Sequence, residues 1–219
     1  MKKIVIVVLV IVTGIIYYFW AAPSMQAVRV DEVIDGDTLI VEGDIRVRLK
    51  SVNAPEKGML GYEDAKDFLD RFEGKQVWLD NQGADRYGRI LGYIYYDNIL
   101  INQALLEKGL AHLYYYDRPI SGMEVAEEQA RQAGRGIWQP SRYAGCVELV
   151  NLKIDEPEHL ILENHCNTSL QVVIKDDATH IYEEQLDKGR FTKNFSHIWN
   201  NEGDSLYVWD DGLIVFYRY

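Results

Sequence analysis

Val33-Ile34-Asp35-Gly36-Asp37-Thr38 closes an apolar strand with two aspartates around a glycine, and Arg48-Leu-Lys-Ser-Val-Asn-Ala-Pro-Glu56 follows within one short hairpin. A third polar cluster, Asp85-Arg-Tyr-Gly-Arg89, comes later in the chain. Carboxylate and amide oxygens are the donors a hard divalent cation prefers. The planar guanidinium of arginine matches phosphate oxygens in a fork. A cation site, two arginines and a spare glutamate are the parts that phosphodiester hydrolysis needs.

Outward from this stretch, strands are predicted over Val28–Ile34, Thr38–Val41 and Ile45–Val52, with Glu42-Gly43-Asp44 as the turn between the last two. Ile45, Val47 and Leu49 alternate with Arg46, Arg48 and Lys50, so one face enters a core and the other faces solvent or a site. Ala65, Phe68, Leu69 and Phe72 recur at helical spacing over Tyr62–Phe72, and Gly74 ends the run. Two more strands are expected at Gln76–Leu79 and Arg89–Tyr96, then helices over Ile101–Lys108 and Val125–Ala133. Short strands with one inserted helix and two following ones suggest a small closed barrel of the oligonucleotide-binding type.

On these residues, together with Asn102-Gln-Ala-Leu-Leu-Glu-Lys-Gly-Leu-Ala111 and Gly136-Ile-Trp138, the segment 28–142 resembles the staphylococcal nuclease (thermonuclease) family. The resemblance implies a five-stranded barrel with three α-helices and calcium-dependent cleavage of DNA and RNA to 3′-phosphate ends. It further implies that Asp37 ligates Ca2+ directly, that Asp35 acts beside it or through a water, and that the backbone carbonyl of Ala54 is another ligand. Asn53 stands where the family often has a second ligating aspartate, which implies weaker calcium binding with one less negative charge. Glu56 would orient or deprotonate the attacking water, and Arg48 and Arg89 would clamp the phosphate. Tyr114, Tyr115 and Tyr116 fall where the family packs tyrosines on the base, Tyr115 aligning best. The competing reading is a barrel that binds nucleic acid without cutting it; a third is a surface protein in which the barrel is only a scaffold. The presence of Asp37, Arg48, Glu56 and Arg89 favours the enzyme.

The formal net charge of −11 is wrong for a protein that coats nucleic acid through a broad basic face. Any such contact must be a local site. Residues 1–27 open with Lys2 and Lys3 before an uncharged apolar run from Ile4 to Trp20. That is a retained membrane anchor, a cleaved signal or a buried core helix, and Ala22-Pro-Ser24 is a poor cleavage site. The first two place the rest of the chain outside the cytoplasm. Cys146 and Cys166 suit an oxidising compartment: bridged, they would contribute about 3 kcal/mol in the chain-entropy model, the alternative being two buried thiols.

Residues 143–219 are acidic and strand-rich, with turns at Asn164–Thr168, Asp187-Lys-Gly189 and Asp210-Asp-Gly212 spaced as in a β-sandwich. Glu163-Asn164, Val172-Val-Ile-Lys-Asp176 and Trp199-Asn-Asn-Glu-Gly-Asp204 before Leu206-Tyr-Val-Trp209 resemble the lamin-tail family, which implies an immunoglobulin-like sandwich. The expected fold class is therefore mainly β: an N-terminal helix anchor, the barrel, then the sandwich. No catalytic set is visible in this last segment, which reads as a spacer or as a module for a cell-surface ligand. Asn167-Thr-Ser169 and Asn194-Phe-Ser196 fit the glycosylation sequon weakly.

Overall fold

The computed structural model describes residues 25–114, 119–178, 180–199 and 203–219. The expected anchor in residues 1–24 lies outside the described residues, as do Tyr115 and Tyr116. Residues 25–27, expected as tether, instead begin strand β1 (Met25–Val33). They pair antiparallel with Trp78–Asp80 of β5 (Gln76–Ala84), which runs five residues past the predicted end.

β1 continues antiparallel into β2 (Thr38–Val41), and β2 into β3 (Ile45–Leu49). β5 pairs antiparallel with β6 (Ile90–Tyr96), and β6 closes the cylinder by running parallel to β3. Period-two alternation in these strands sends Val28, Val30, Val47, Leu49, Val77 and Leu79 inward, where all are buried. Helix α1 (Tyr62–Asp70) plugs one side through Ala65, Phe68 and Leu69, the apolar stripe its spacing predicted. A two-residue strand β4 (Val52–Asn53) leaves β3 and, beyond the short β7 (Ile99–Leu100) and helix α2 (Ile101–Glu107), meets β8 (His112–Leu113). Helix α3 (Met123–Gln132) and a 3₁₀ turn (Gly136–Trp138) complete this half. Inside, Asn102 is fully buried and accepts from the Ile94 N–H while donating to the carbonyls of Lys50 and Gly92, which fixes the end of β3 against β6.

The C-terminal half is two antiparallel sheets sharing one core. The first joins β9 (Val147–Lys153), β10 (Glu158–Asn164) and β13 (Gly189–Phe195). The second has the order β12 (Ile181–Leu186), β11 (Leu170–Lys175), β14 (Ser205–Trp209), β15 (Leu213–Arg218). Leu160, Leu162, Val172, Ile174 and Leu206 fill the space between. β13 was not predicted. Its residues alternate between exposed and half-buried, with Lys193 on the inner side lying over the rings of Tyr182 and Phe195, so the strand carries little apolar signal. A disulfide links Cys146 to Cys166.

The two halves are not joined by a loose linker. Leu213 N–H donates to the Gln139 carbonyl and Ser141 N–H to the Leu213 carbonyl, each within 2.9 Å. Ala130, Ile137 and Trp138 of the barrel half share a buried cluster with Tyr207 and Trp209. Tyr207 stacks on Trp209 and lies 6.0 Å from the Trp138 ring, while the Trp209 indole donates to the Ile137 carbonyl. Residues 143–219 thus pack directly on the barrel half.

Candidate active site

Strand register assembles the site. Thr38 pairs with Arg48 across β2 and β3, so Asp37 enters the barrel wall beside that arginine. The Leu49 N–H donates to the Asp37 carbonyl at 2.8 Å. On the other side of β3, Ile90 pairs with Val47, and Arg89 immediately precedes it. The register thus sets Asp37 beside Arg48, while Arg89 lies just before the start of the neighbouring strand β6, two positions before Leu91, which faces Arg48.

The aspartate turn is held tightly. Asp35 Oδ1 accepts the Asp37 N–H at 3.0 Å, and Gly36 lies against α1. A Cβ at Gly36 would fall 2.6 Å from the Cβ atoms of Ala54 and Ala65, so only glycine lets the turn approach this closely. Asp37 is buried, and its Oδ2 accepts from the Ala54 N–H at 2.7 Å and faces Arg48 Nη2 at 3.1 Å. Its Oδ1 accepts from the Thr38 hydroxyl. Burial pushes the Asp37 carboxyl up to about 6, Arg48 opposing this and Asp35 adding to it.

Arg48 is fixed by four acceptors. Nη1 donates to the carbonyls of Leu49 (2.8 Å) and Val52 (2.7 Å), and Nη2 donates to Asn53 Oδ1 (2.9 Å) besides facing Asp37. Arg89 Nε donates to Asp85 Oδ2 at 2.7 Å, and Asp85 Oδ1 accepts the N–H groups of Tyr87 and Arg89, closing a compact loop. Hydrogen bonds from Arg89 and the loop backbone hold the Asp85 carboxyl below its usual range although its partial burial opposes them most. Glu56 is exposed at the mouth of a cavity of about 310 Å³ between the halves, lined also by Lys57, Leu60, His112, Lys175 and Trp209. The Tyr114 N–H donates to the Ser51 carbonyl, which ties the tyrosine segment to the loop after β3.

Asp35 and Asp37 suit a hard cation: two neighbouring carboxylates, one of them desolvated, gain from positive charge. Asn53, the other expected side-chain ligand, has both its polar atoms engaged by protein groups. Its Oδ1 is turned to Arg48, and its Nδ2 donates to the carbonyls of Asp177 (3.0 Å) and Ala178 (3.2 Å) in the C-terminal half. Among the described residues no three His, Cys, Asp or Glu side chains gather as a metal cage.

The family sequence pattern described as "Staphylococcal nuclease homologue" matches residues 46–140, which include Arg48, Asn53, Glu56 and Arg89. A Haemophilus influenzae protein described as an uncharacterized endonuclease is 35% identical over 140 residues, covering 58% of this chain and 77% of that protein. The chain belongs to the staphylococcal nuclease family. Within that family a thermonuclease of Staphylococcus hyicus is 34% identical over 52% of this chain and 76% of its own length. A micrococcal nuclease of Shigella flexneri is 33% identical over 54% of this chain and 75% of its own length. This family member is a nuclease, a hydrolase whose substrate is nucleic acid.

Sequence reasoning missed the residues that bind the two halves at the back of the site. Glu127, on α3, accepts the Leu113 N–H through Oε1 at 2.6 Å and pairs with Arg218 of β15. His112 is buried against the Tyr207 ring, its Nδ1 at 3.1 Å from the Leu113 carbonyl, and burial draws its pKa well below the usual histidine range. Lys175, also buried, donates to the carbonyls of Asp176 (2.8 Å) and Ala178 (2.5 Å). Lys175 and Arg218, each at the end of a mostly apolar strand, were the available signal; Glu127 on α3 gave none, and the partners were not foreseeable.

Proposed function

We propose that this nuclease is calcium-dependent and hydrolyses phosphodiester bonds of DNA and RNA outside the cytoplasm. Arg48 and Arg89 clamp the phosphate and stabilise its developing charge, while Glu56 aims a water at phosphorus and takes its proton. The bond to the 5′ oxygen breaks, that oxygen is protonated, and the phosphate stays on the 3′ side. Asp37 and Asp35 would hold the calcium, which when bound supplies a Lewis acid to a phosphate oxygen. Tyr114, Tyr115 and Tyr116 would pack on the bases.

The observation that supports this reading is the Arg48–Asp37 pair at 3.1 Å at the junction of β2 and β3, with Arg89 entering the neighbouring strand β6. Lys2 and Lys3 before the apolar run support an anchored or exported protein, and the Cys146–Cys166 disulfide is consistent with that location. Two antiparallel sheets around one core support the immunoglobulin-like reading of residues 143–219. The test is plasmid DNA and single-stranded RNA incubated with the purified chain in calcium or in chelator. Both are degraded in calcium only, and Glu56→Gln lowers the rate by about 10²-fold or more. Equal degradation in chelator would overturn calcium dependence, and full activity in the variant would overturn the role of Glu56.

A further inference from the structure

We infer that Asn53 is a positioning residue through which the C-terminal half sets the guanidinium of Arg48. The inference rests on the proposed role of Arg48 at the phosphate.

Asn53 is 6% exposed and is used on both sides. Its oxygen receives Arg48 Nη2 at 2.9 Å, and its amide nitrogen donates to the carbonyls of Asp177 and Ala178, which lie 124 and 125 residues along the chain. His112 Nε2 stands at 3.5 Å from the same nitrogen, too far to compete strongly. Only an amide can accept from a guanidinium on one side and donate to carbonyls on the other. A carboxylate here would set an anionic oxygen against two carbonyl oxygens at about 3 Å, all turned acceptor to acceptor.

Those two carbonyls are held rigidly. Asp176 Oδ1 accepts the N–H groups of Ala178 and His180, and its Oδ2 pairs with His180 Nδ1 at 2.6 Å. Asp177 accepts from the hydroxyls of Tyr207 and Ser205, while its own N–H donates to Asp204 Oδ1. Lys175 Nζ adds a second donor to the Ala178 carbonyl. Asp176, Asp177 and Ala178 are thus hydrogen-bonded within the C-terminal half before they meet Asn53, and can serve as the reference against which Arg48 is aligned. Misplacing a catalytic group by about 1 Å can slow a reaction about 10²-fold.

Steady-state cleavage of single-stranded DNA by the full chain at saturating calcium tests this, with thermal melting followed in parallel. Asn53→Asp is expected to lower kcat about tenfold or more while KM for DNA stays within about twofold, because an arginine acting on transition-state charge is read in kcat. Wild-type or higher kcat together with a lower calcium requirement would overturn the inference and make Asn53 a weakened metal ligand. Asp176→Ala perturbs the carbonyl loop from the far side and decides the matter should Asn53→Asp not fold. Its kcat is expected to fall about threefold or more at unchanged KM, and an unchanged kcat would overturn the coupling. Arg48→Ala separates the two levels: if it retains full activity, the assignment of Arg48 to the phosphate fails first.

Discussion

Replacing Glu127 by alanine tests whether the two halves are one cooperative structure. Its carboxylate side chain is 4% exposed, Oε1 accepts the Leu113 N–H at 2.6 Å, and Oε2 pairs with Arg218, whose side chain is 22% exposed. Breaking a buried pair by removing one partner costs about 3–5 kcal/mol. The low end applies, because Arg218 keeps solvent access and further contacts to Ser205 Oγ (2.7 Å) and Tyr207 (3.2 Å). At about 3 kcal/mol, a protein of this size should lose about 6–12 °C in melting temperature. Tryptophan emission is the assay, since Trp138 and Trp209 report from opposite sides of the boundary. A single transition, shifted as a whole, is expected. Glu127→Gln should lose about half as much, since it still accepts the Leu113 N–H but no longer carries the charge. A shift under about 2 °C, or two separate transitions of which only one moves, would refute the claim that the halves unfold together.

Two further outcomes follow from the same geometry. Gly36→Ala should cost about 1–3 kcal/mol, because the added methyl meets Ala54 and Ala65 at 2.6 Å. It should also lower nuclease activity at temperatures where the variant is still folded, since the clash displaces the Asp35–Asp37 turn; wild-type activity there would sink this expectation. Asp177 gives a pH signature. Burial raises its carboxyl from 3.8 to about 6, with Arg218 at 3.9 Å and the Tyr207 and Ser205 hydroxyls opposing and the Asp204 carboxylate reinforcing the shift. The folded state therefore binds the proton more tightly than the unfolded chain, and this group's contribution to stability declines as pH rises from about 4 to 6, then levels off. The decline is at most about 3 kcal/mol. Urea unfolding at several pH values should show Asp177→Asn gaining on the wild type across that window, and a constant difference would count against it.

Much of the barrel was legible because its signals are local. Alternation in β3, the helical stripe of α1 and the aspartate turn each depend on neighbours within a few positions. β5 ran past its predicted end because Asp80, Asn81 and Gln82 are polar, yet the backbone ladder to β6 continues to Ala84. β13 stayed hidden since only Phe191 and Phe195 carry an apolar pattern amid Arg190, Lys193 and Asn194. The site divides along the same line. Asp37, Arg48 and Arg89 could be named from type and spacing, whereas Asn53 could be read only as a ligand position. Its partners at Asp177 and Ala178 lie just after β11 in the other half, and no local window contains both.

The shared aromatic cluster of Trp138, Tyr207 and Trp209 bears on how such a protein can be subdivided. Residues 46–140 look like a portable cassette when matched to relatives by sequence. Excised there, the cassette would carry a raw apolar scar around Ile137 and Trp138, both 2% exposed in the intact chain. For engineering this chain, the docked pair is the unit to keep intact.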